Sequence, residues 1–512
     1  MPARIRQRAG ISYKRGVIDS AKPRVPLVLA LFVFCAWLYT RHNDFPFFYH
    51  PDEPDKIAQL VDDRWNFHHP ALMLSSAKVV IALFHAQADR QQIVIIGRDQ
   101  SALYAAVAVS ALALLAWRMR GPLAFAGVAI FAGLHHQVFE LAHYFKEDAA
   151  LLMGVALTFL ALHVFWKKPC ALAAAFLGVA CGLSLSAKYV GIVMFVPALV
   201  LILRAPNHVR HLAVFASIFL ATTAIANYPL ATHLDQFKSS FSREVSLATE
   251  GQRGATHGIP NTEYFPIFAQ NMNVALWIFL AVFVVRFWRE RRTRNCLDWI
   301  FLVFPLAYAL LLACSPKSND RYFLPATTLF ALLAAFGFVD TVALLAKRIP
   351  CSAALALCVA FAAIFQIYSL LKYDNAFAHD DRRELSDWIR ANLPSSAVIA
   401  QDSRVGLPTE KREERLQWQQ PLSQRVVSDR LSDSTLDDLR TQDVTHVVLS
   451  ESDYGRYFRK AGAARDEYRG QFEQRRLFYE RLRIDSELLW QRSRGTVIYL
   501  HPGLELYRLP PR

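Results

Sequence analysis

Between residues 25 and 371 the sequence returns repeatedly to apolar runs of roughly 17 to 25 residues, each long enough as a helix to cross about 30 Å of hydrocarbon. No water is available there to satisfy backbone N–H and C=O groups, so runs of this length are compatible with helices and little else. From Asp374 onward the pattern stops. Of the 512 residues 54% are hydrophobic and 20% charged, too apolar for a soluble protein and too charged for membrane helices alone. The chain is therefore a mixture of a helical membrane part and a hydrophilic C-terminal part. The formal net charge of +14 does not point to nucleic acid, because much of the Lys and Arg sits in short connectors between apolar runs and no basic stripe interleaved with aromatic residues occurs. All seven cysteines lie in or beside apolar segments, which indicates neither a disulfide framework nor a Cys-rich metal site.

The basic connectors set the expected topology. Arg4, Arg6, Arg8, Lys14, Arg15, Lys22 and Arg24 precede the first apolar run and hold the N-terminus in the cytoplasm. The exit of that run, Ala36 to Arg41, lacks a small-x-small cleavage pattern, so it reads as an uncleaved anchor. Alternation of charge markers then gives about eleven spans, with the Arg286, Arg289, Arg291, Arg292 and Arg294 cluster as the strongest cytoplasmic marker. Three domains are expected: a basic N-terminus over 1–24, a transmembrane domain over 25–373, and an extracytoplasmic domain over 374–512. Two long outer loops fall at 42–92 and 229–266. The first holds a short helix after Pro54 and a second through Met73, Leu74, Val79, Ile81 and Leu83, which Lys78, His85 and Asp89 make a poor span and a better interfacial helix. In the C-terminal part Asp380 to Asn392 is helical, Val398 to Ala400 a strand, Leu436 to Val448 a helix followed by a strand, and Thr496 to Tyr507 alternates like a hairpin. The expectation is a mainly α membrane protein carrying a small α/β domain.

The chemistry concentrates just beyond the first span, in Tyr49, His50, Pro51, Asp52, Glu53 and Pro54. Two adjacent carboxylates stiffened by prolines at a membrane exit are suited to taking a proton from a hydroxyl. They are also suited to capping the helix that Pro54 begins. In the catalytic reading Asp52 is a general base and Glu53 orients an acceptor or a cation. A second cluster of ionisable residues includes Lys146, Glu147 and Asp148 at the start of a span, where such groups are costly unless paired or facing water. Lys188, at the break Lys188-Tyr189-Val190-Gly191, and Arg321, before Tyr322 and Pro325, add cations at the same expected depth. Lys188 is either a snorkelling lysine or a phosphate contact, and Arg321 either a partner of Asp320 or a second such contact; together they would serve an anionic phosphate whose lipid tail lies in the bilayer. His135, His136 and His143 do not share one helical face with Asp148 and lack His-x-x-x-His spacing, so no metal site is assigned. No Walker loop, GxSxG elbow or GxGxxG after a strand is present. An outward-facing transferase without a nucleotide site needs a donor delivered on a lipid.

In order and spacing these features resemble the GT-C superfamily of integral membrane glycosyltransferases, above all the branch of protein O-mannosyltransferases and aminoarabinose transferases. The resemblance is carried by Asp52-Glu53 in the first outer loop, His69-Pro70 before an interfacial helix, Lys146 to Asp148, Lys188-Tyr189, and Arg321-Tyr322 with Pro325. His50 to Glu53 is also similar to the His-Pro-Asp-Glu motif of dolichol-phosphate-mannose-dependent transferases. The Trp-Trp-Asp motif of oligosaccharyltransferases is absent, and Ala71 stands where a second proline is usual. The resemblance implies an inverting enzyme that moves one sugar from a polyprenyl-phosphate donor to a hydroxyl on a lipid, glycan or protein. Asp52 would be the base, Lys146, Lys188 and Arg321 would hold the donor phosphate, and His50, His69, Asp148, Tyr189 and Tyr322 would bind substrate. No cofactor is implied beyond the room the carboxylates leave for a divalent cation. The expected location is a bacterial inner membrane with the site and the C-terminal domain on its outer side. The competing readings are a lipid or sugar transporter or flippase, which would be expected to show paired halves, and a scaffold with an outer binding domain.

Overall fold

The computed structural model describes residues 24–84, 88–251, 260, 262–316, 319–408, 420–427, 431–458 and 468–510. The basic leader over Arg4 to Lys22, His85 of the first loop, and Lys317 and Ser318 ahead of Arg321 lie outside the described residues. Helices α1 (Val25–Tyr39), α2 (Glu53–Val61), α3 (Leu72–Phe84), α4 (Arg90–Arg120), α5 (Pro122–Phe131), α6 (His136–Ala142), α7 (Glu147–Lys167) and α8 (Ala171–Ala187) form the first half of a bundle. It continues through α9 (Phe195–Arg204), α10 (His208–Ala226), α11 (Leu234–Glu250), α12 (Tyr264–Asn271), α13 (Val274–Arg289), α14 (Cys296–Ala313), α15 (Leu324–Leu345) and α16 (Cys351–Ala378).

Six helices among the described residues are long and apolar enough to cross a membrane, or up to eight if α5 with α6 (bent 63°) and α12 with α13 (bent 97°) each make one span. The expected count of eleven is not established by length and composition, since α1, α8 and the segment Tyr189–Arg204 are shorter apolar helices. The protein is nonetheless an integral membrane protein. Helix α7 and the α15 span are buried over 83% and 72% of their apolar windows, against 22–28% for α10, α14 and the α16 span. A helix apolar all round and enclosed on all sides is central; one equally apolar and mostly uncovered faces lipid. The two central helices begin beside the residues singled out in the sequence, α7 at Glu147 and the α15 span at Asp320.

Helix α16 runs past Tyr373 to Ala378 and hands the chain to α17 (Asp381–Asn392), whose N-terminus is capped by the Asp380 side chain. Beyond it lie β1 (Val398–Gln401), β2 (Arg425–Val427), α18 (Leu436–Thr441), β3 (His446–Ser450), α19 (Glu451–Tyr454), α20 (Arg469–Asp485), β4 (Glu487–Arg492) and β5 (Leu504–Arg508). The sheet order is β2-β1-β3-β5-β4, with β1 parallel to β2 and β3, and β5 antiparallel to β3 and β4. Alternation along the strands divides the core: Ile399, Val448, Leu504 and Leu506 pack on α17, whereas Ala400, Val447, Leu449 and Tyr507 pack with Tyr479 and Leu482 of α20. The α/β expectation holds, with one correction. The C-terminal strand begins only at Leu504 and pairs with Glu487–Arg492, so the residues from Thr496 belong to a loop. That loop has its own task, since Val497 and Leu500 are buried in the core of the membrane bundle.

Asp402 follows β1 and is fully enclosed, its carboxyl accepting the Tyr479 hydroxyl at 2.8 Å and the Ser450 N–H at 3.1 Å. Burial, with Asp453 close by, pushes it up to about 8. A carboxyl raised above its unfolded value binds a proton that the unfolded chain has released, so its contribution to stability is complete below about pH 4 and lost as pH rises towards 8. Hydrogen exchange at β1 and β3 is therefore expected to quicken as pH rises from about 5 to 8, beyond the intrinsic base catalysis of exchange. In Asp402→Asn, where a neutral amide can still accept from Ser450 and donate to the Tyr479 oxygen, that excess should vanish.

Candidate active site

The site is assembled where the loop after α1 meets the N-terminus of α7. Asp52 is the N-cap residue of α2, with Pro54 in the first turn, yet its side chain makes no capping hydrogen bond. Successive residues at a helix start point about 100° apart, which sends the two carboxylates in different directions. Asp52 is 45% exposed and Glu53 0%. Glu53 accepts both prongs of the Arg98 guanidinium, Nε at 3.0 Å and Nη2 at 2.6 Å, and its Oε1 also accepts the Phe145 N–H at 3.0 Å. Glu53, expected to orient an acceptor or a cation, is enclosed and engaged by Arg98 and the Phe145 N–H.

Arg98 also carries the shape of the loop. Its Nη1 donates to the carbonyls of Asn43 and Phe45 at 2.7 and 2.5 Å, and its guanidinium lies 3.5 Å from the centre of the Phe45 ring. Gln91, two turns earlier on α4, brackets the next residues, accepting from Phe47 N–H and donating to Phe45 O. Sequence reasoning passed over Arg98, although a lone arginine inside an apolar helix is the signal that could have found it.

Three consecutive residues at the start of α7 splay towards three partners. Lys146 is paired with Asp52, Glu147 with Lys56, and Asp148 with Lys188 at 2.7 Å. Arg321 stands between the first and third pairs, with Nη1 at 3.9 Å from Asp52 and Nε at 3.9 Å from Asp148. These last separations exceed hydrogen-bond length, and Arg321 Nε, Asp148 Oδ2 and Glu147 Oε2 are buried atoms without a hydrogen-bond partner among the described residues. The result is an interleaved array of four cations, Lys56, Lys146, Lys188 and Arg321, and three carboxylates, Asp52, Glu147 and Asp148. The first-turn carboxylates Glu147 and Asp148 are further favoured by the α7 dipole.

The remaining expected residues fall around this array in supporting positions. His50 is buried, and its Nδ1 accepts the Asp52 N–H at 3.2 Å. Burial, with Lys146, Arg321, Arg98 and Lys56 around it, holds His50 well below the ordinary histidine value, so Nδ1 remains an acceptor. His69 lies 3.8 Å from Glu147, and burial brings it down to about 4. Tyr189 turns away and donates to Phe67 O at 2.8 Å, holding the first loop. The Lys188 ammonium sits 4.9 Å from the Tyr322 ring centre. The break that carries Lys188 depends on Gly191, where any Cβ would come within 2.0 Å of Ser184 O. Tyr144, Tyr373 and Tyr499, which sequence reasoning did not assign, each lie close enough to Glu140 of the second ionisable cluster to interact electrostatically, with Tyr499 also near Arg321.

Among the described residues no three His, Cys, Asp or Glu side chains are placed to hold a metal ion. Both ring nitrogens of His143 face backbone carbonyls, and each of Asp52, Glu53, Glu147 and Asp148 already has a cationic partner.

No protein-family model matches the chain, and no curated protein matches it significantly. The fold does match solved structures. ArnT from Cupriavidus metallidurans bound to undecaprenyl phosphate is similar over 96% of this chain and 100% of its own, at 14% identity and a TM-score of 0.51. The archaeal oligosaccharyltransferase AglB from Archaeoglobus fulgidus, in complex with an inhibitory peptide and a dolichol-phosphate, is similar over 86% of this chain and 71% of its own, at 11% identity and a TM-score of 0.51. The chain thus shares the fold of these structures, the GT-C fold expected from the order of its motifs.

Arg98→Met is expected to cost about 3–5 kcal/mol by stranding the Glu53 carboxylate in an enclosed site. The double variant Arg98→Met/Glu53→Gln should recover much of that loss, as measured by thermal unfolding of the purified protein in detergent.

Proposed function

We propose that this protein is an inverting glycosyltransferase that moves a single sugar from a polyprenyl-phosphate donor to a hydroxyl acceptor on the extracytoplasmic face of a membrane. The observation that carries the reading is the contrast between two adjacent carboxylates, Glu53 locked by Arg98 and Asp52 half-exposed among Lys146 and Arg321. The fold shared with ArnT bound to undecaprenyl phosphate and AglB with dolichol-phosphate supports a donor of that lipid class.

In this reading Asp52 takes the proton of the acceptor hydroxyl as its oxygen attacks the anomeric carbon from the side opposite the phosphate. The bond from the anomeric carbon to the phosphate oxygen breaks, and the lipid phosphate leaves with the electron pair. Arg321, Lys188 and Lys146 stabilise the developing charge. Arg321 is the best placed, because it lies 3.9 Å from both carboxylates and its buried Nε has no hydrogen-bond partner among the described residues, which leaves that donor for a phosphate oxygen. Glu53 is an anchor rather than a reactant. Tyr322 and His69 shape the cation array, His50 and Tyr189 hold the loops, and Asp148 orients Lys188 and Arg321. The outward orientation is supported by the distribution of arginines, with the cluster at 286–294 on the opposite side. A bacterial inner membrane fits a chain without an Asn-x-Ser/Thr sequon. The acceptor is a lipid, a glycan or a protein.

Mass spectrometry of lipids, surface glycans and outward-facing proteins from cells with and without the gene should reveal one product differing by a single sugar residue. Asp52→Asn is expected to lower that product by about 10²-fold or more while the protein remains folded and membrane-inserted. Production at the wild-type level would rule out Asp52 as the base. Arg321→Met should weaken binding of undecaprenyl phosphate, read by native mass spectrometry, without lowering thermal stability.

A further inference from the structure

The loop between β4 and β5, residues 493–503, belongs to the hydrophilic part by sequence but is inserted into the membrane bundle, where Val497 and Leu500 are buried. Between them sits Tyr499, whose ring centre lies 4.3 Å from that of His50 and 5.3 Å from that of Tyr144, the latter nearly edge-on at 86°. His50 also packs on Tyr144 at 4.8 Å, so the three rings form one triangular cluster in which the imidazole is buried. We infer that Tyr499 is a positioning residue for Asp52, acting through His50, and that the loop inserted by the C-terminal part therefore sets the geometry of the catalytic centre. The inference rests on the proposed role of Asp52 as the base.

His50 Nδ1 accepts the Asp52 N–H, and His50 O accepts the Glu53 N–H at 3.2 Å. One residue thus fixes both peptide groups that flank the base. Asp52 has no capping bond of its own; Lys146 holds the far end of its carboxylate, and the setting of its backbone depends on where the His50 ring is held. A buried ring packed against two tilted aromatic neighbours loses the rotamers that would swing it away from the Asp52 N–H.

A second contact from the same side holds the residue before it. Tyr49 donates to Asp380 at 2.8 Å, and the Arg382 guanidinium lies 4.0 Å from the Tyr49 ring centre. Arg382 is itself buried and donates to three backbone carbonyls, those of Tyr499, Arg404 and Val405. The inserted loop is closed behind Tyr499 by His501, whose Nδ1 lies 2.9 Å from Asp381 and whose Nε2 lies 2.8 Å from Ala376 O at the end of α16. Tyr49 and His50 are thus gripped by the C-terminal part, while Glu53 is gripped by Arg98 from the membrane part. Asp52 lies between the two grips.

The test is hydrogen exchange by mass spectrometry on the full-length protein in detergent, comparing wild type, Tyr499→Phe and Tyr499→Ala. Tyr499→Ala should raise exchange about tenfold or more in peptides covering residues 47–56 and leave β1, β3 and the middle of α4 unchanged. The glycosylated product in cells should fall at least tenfold, with native mass spectrometry showing undecaprenyl phosphate still bound. Tyr499→Phe keeps the ring and should restore both the exchange pattern and the product. Wild-type exchange over 47–56 in Tyr499→Ala overturns the inference, and so does a uniform rise across the chain, which would mark Tyr499 as a fold residue only. If Asp52→Asn retains full product while Tyr499→Ala still loosens 47–56 selectively, the clamp stands and the assignment of Asp52 as base fails.

Discussion

An arginine without water around it must find its partners within the protein, and Arg98 finds a carboxylate, two carbonyls and an aromatic face within one short loop. The desolvation of the two charges is tolerable only because both forks of the guanidinium are matched and the carboxylate receives the Phe145 N–H as well. Phe145 immediately precedes Lys146, so the same carboxylate that anchors the first loop also anchors the start of α7. Moving any of the three would leave a charge buried alone. This single constraint brings Asp52 to the cation array and leaves it partly exposed.

The array has a character of its own. With four cations alternating with three carboxylates, none of the lysines is an isolated charge near hydrocarbon, and the excess of positive charge is small. Arg321 is the exception in geometry, since it lies near two carboxylates without a hydrogen bond to either. A resting site of this kind tolerates the absence of an anion and has donors available when one arrives. Preorganised charge that needs no rearrangement during reaction is the form of electrostatic stabilisation enzymes rely on most.

Much of this was legible in the sequence, and the reasons for the rest are physical. Long apolar runs announce membrane helices because length is dictated by the bilayer, but α5 with α6 and α12 with α13 are bent at short breaks, and α8 is only 17 residues, so a count based on length stays open. The motif residues Asp52, Lys146, Asp148, Lys188 and Arg321 do converge, as their order along the chain suggested. What composition could not reveal is pairing: nothing local marks Arg98 as the partner of Glu53, or Lys56 as the partner of Glu147, because each pair joins residues 45 or 91 positions apart. Tyr499 was invisible for a related reason. Its alternating neighbours read as a strand, and only the burial of Val497 and Leu500 in the other part of the molecule makes the segment a loop.

The cations gathered around Asp52 and Asp148 are proposed to receive the phosphate of a lipid carrier. The most direct measurement is photocrosslinking of membranes containing the protein with a polyprenyl phosphate bearing a photoactivatable group next to the phosphate, followed by peptide mapping. The account predicts labelling confined to peptides that contain Lys146, Lys188 or Arg321, and competition by unlabelled undecaprenyl phosphate. Labelling spread along the lipid-facing helices, with those three residues untouched, would contradict it.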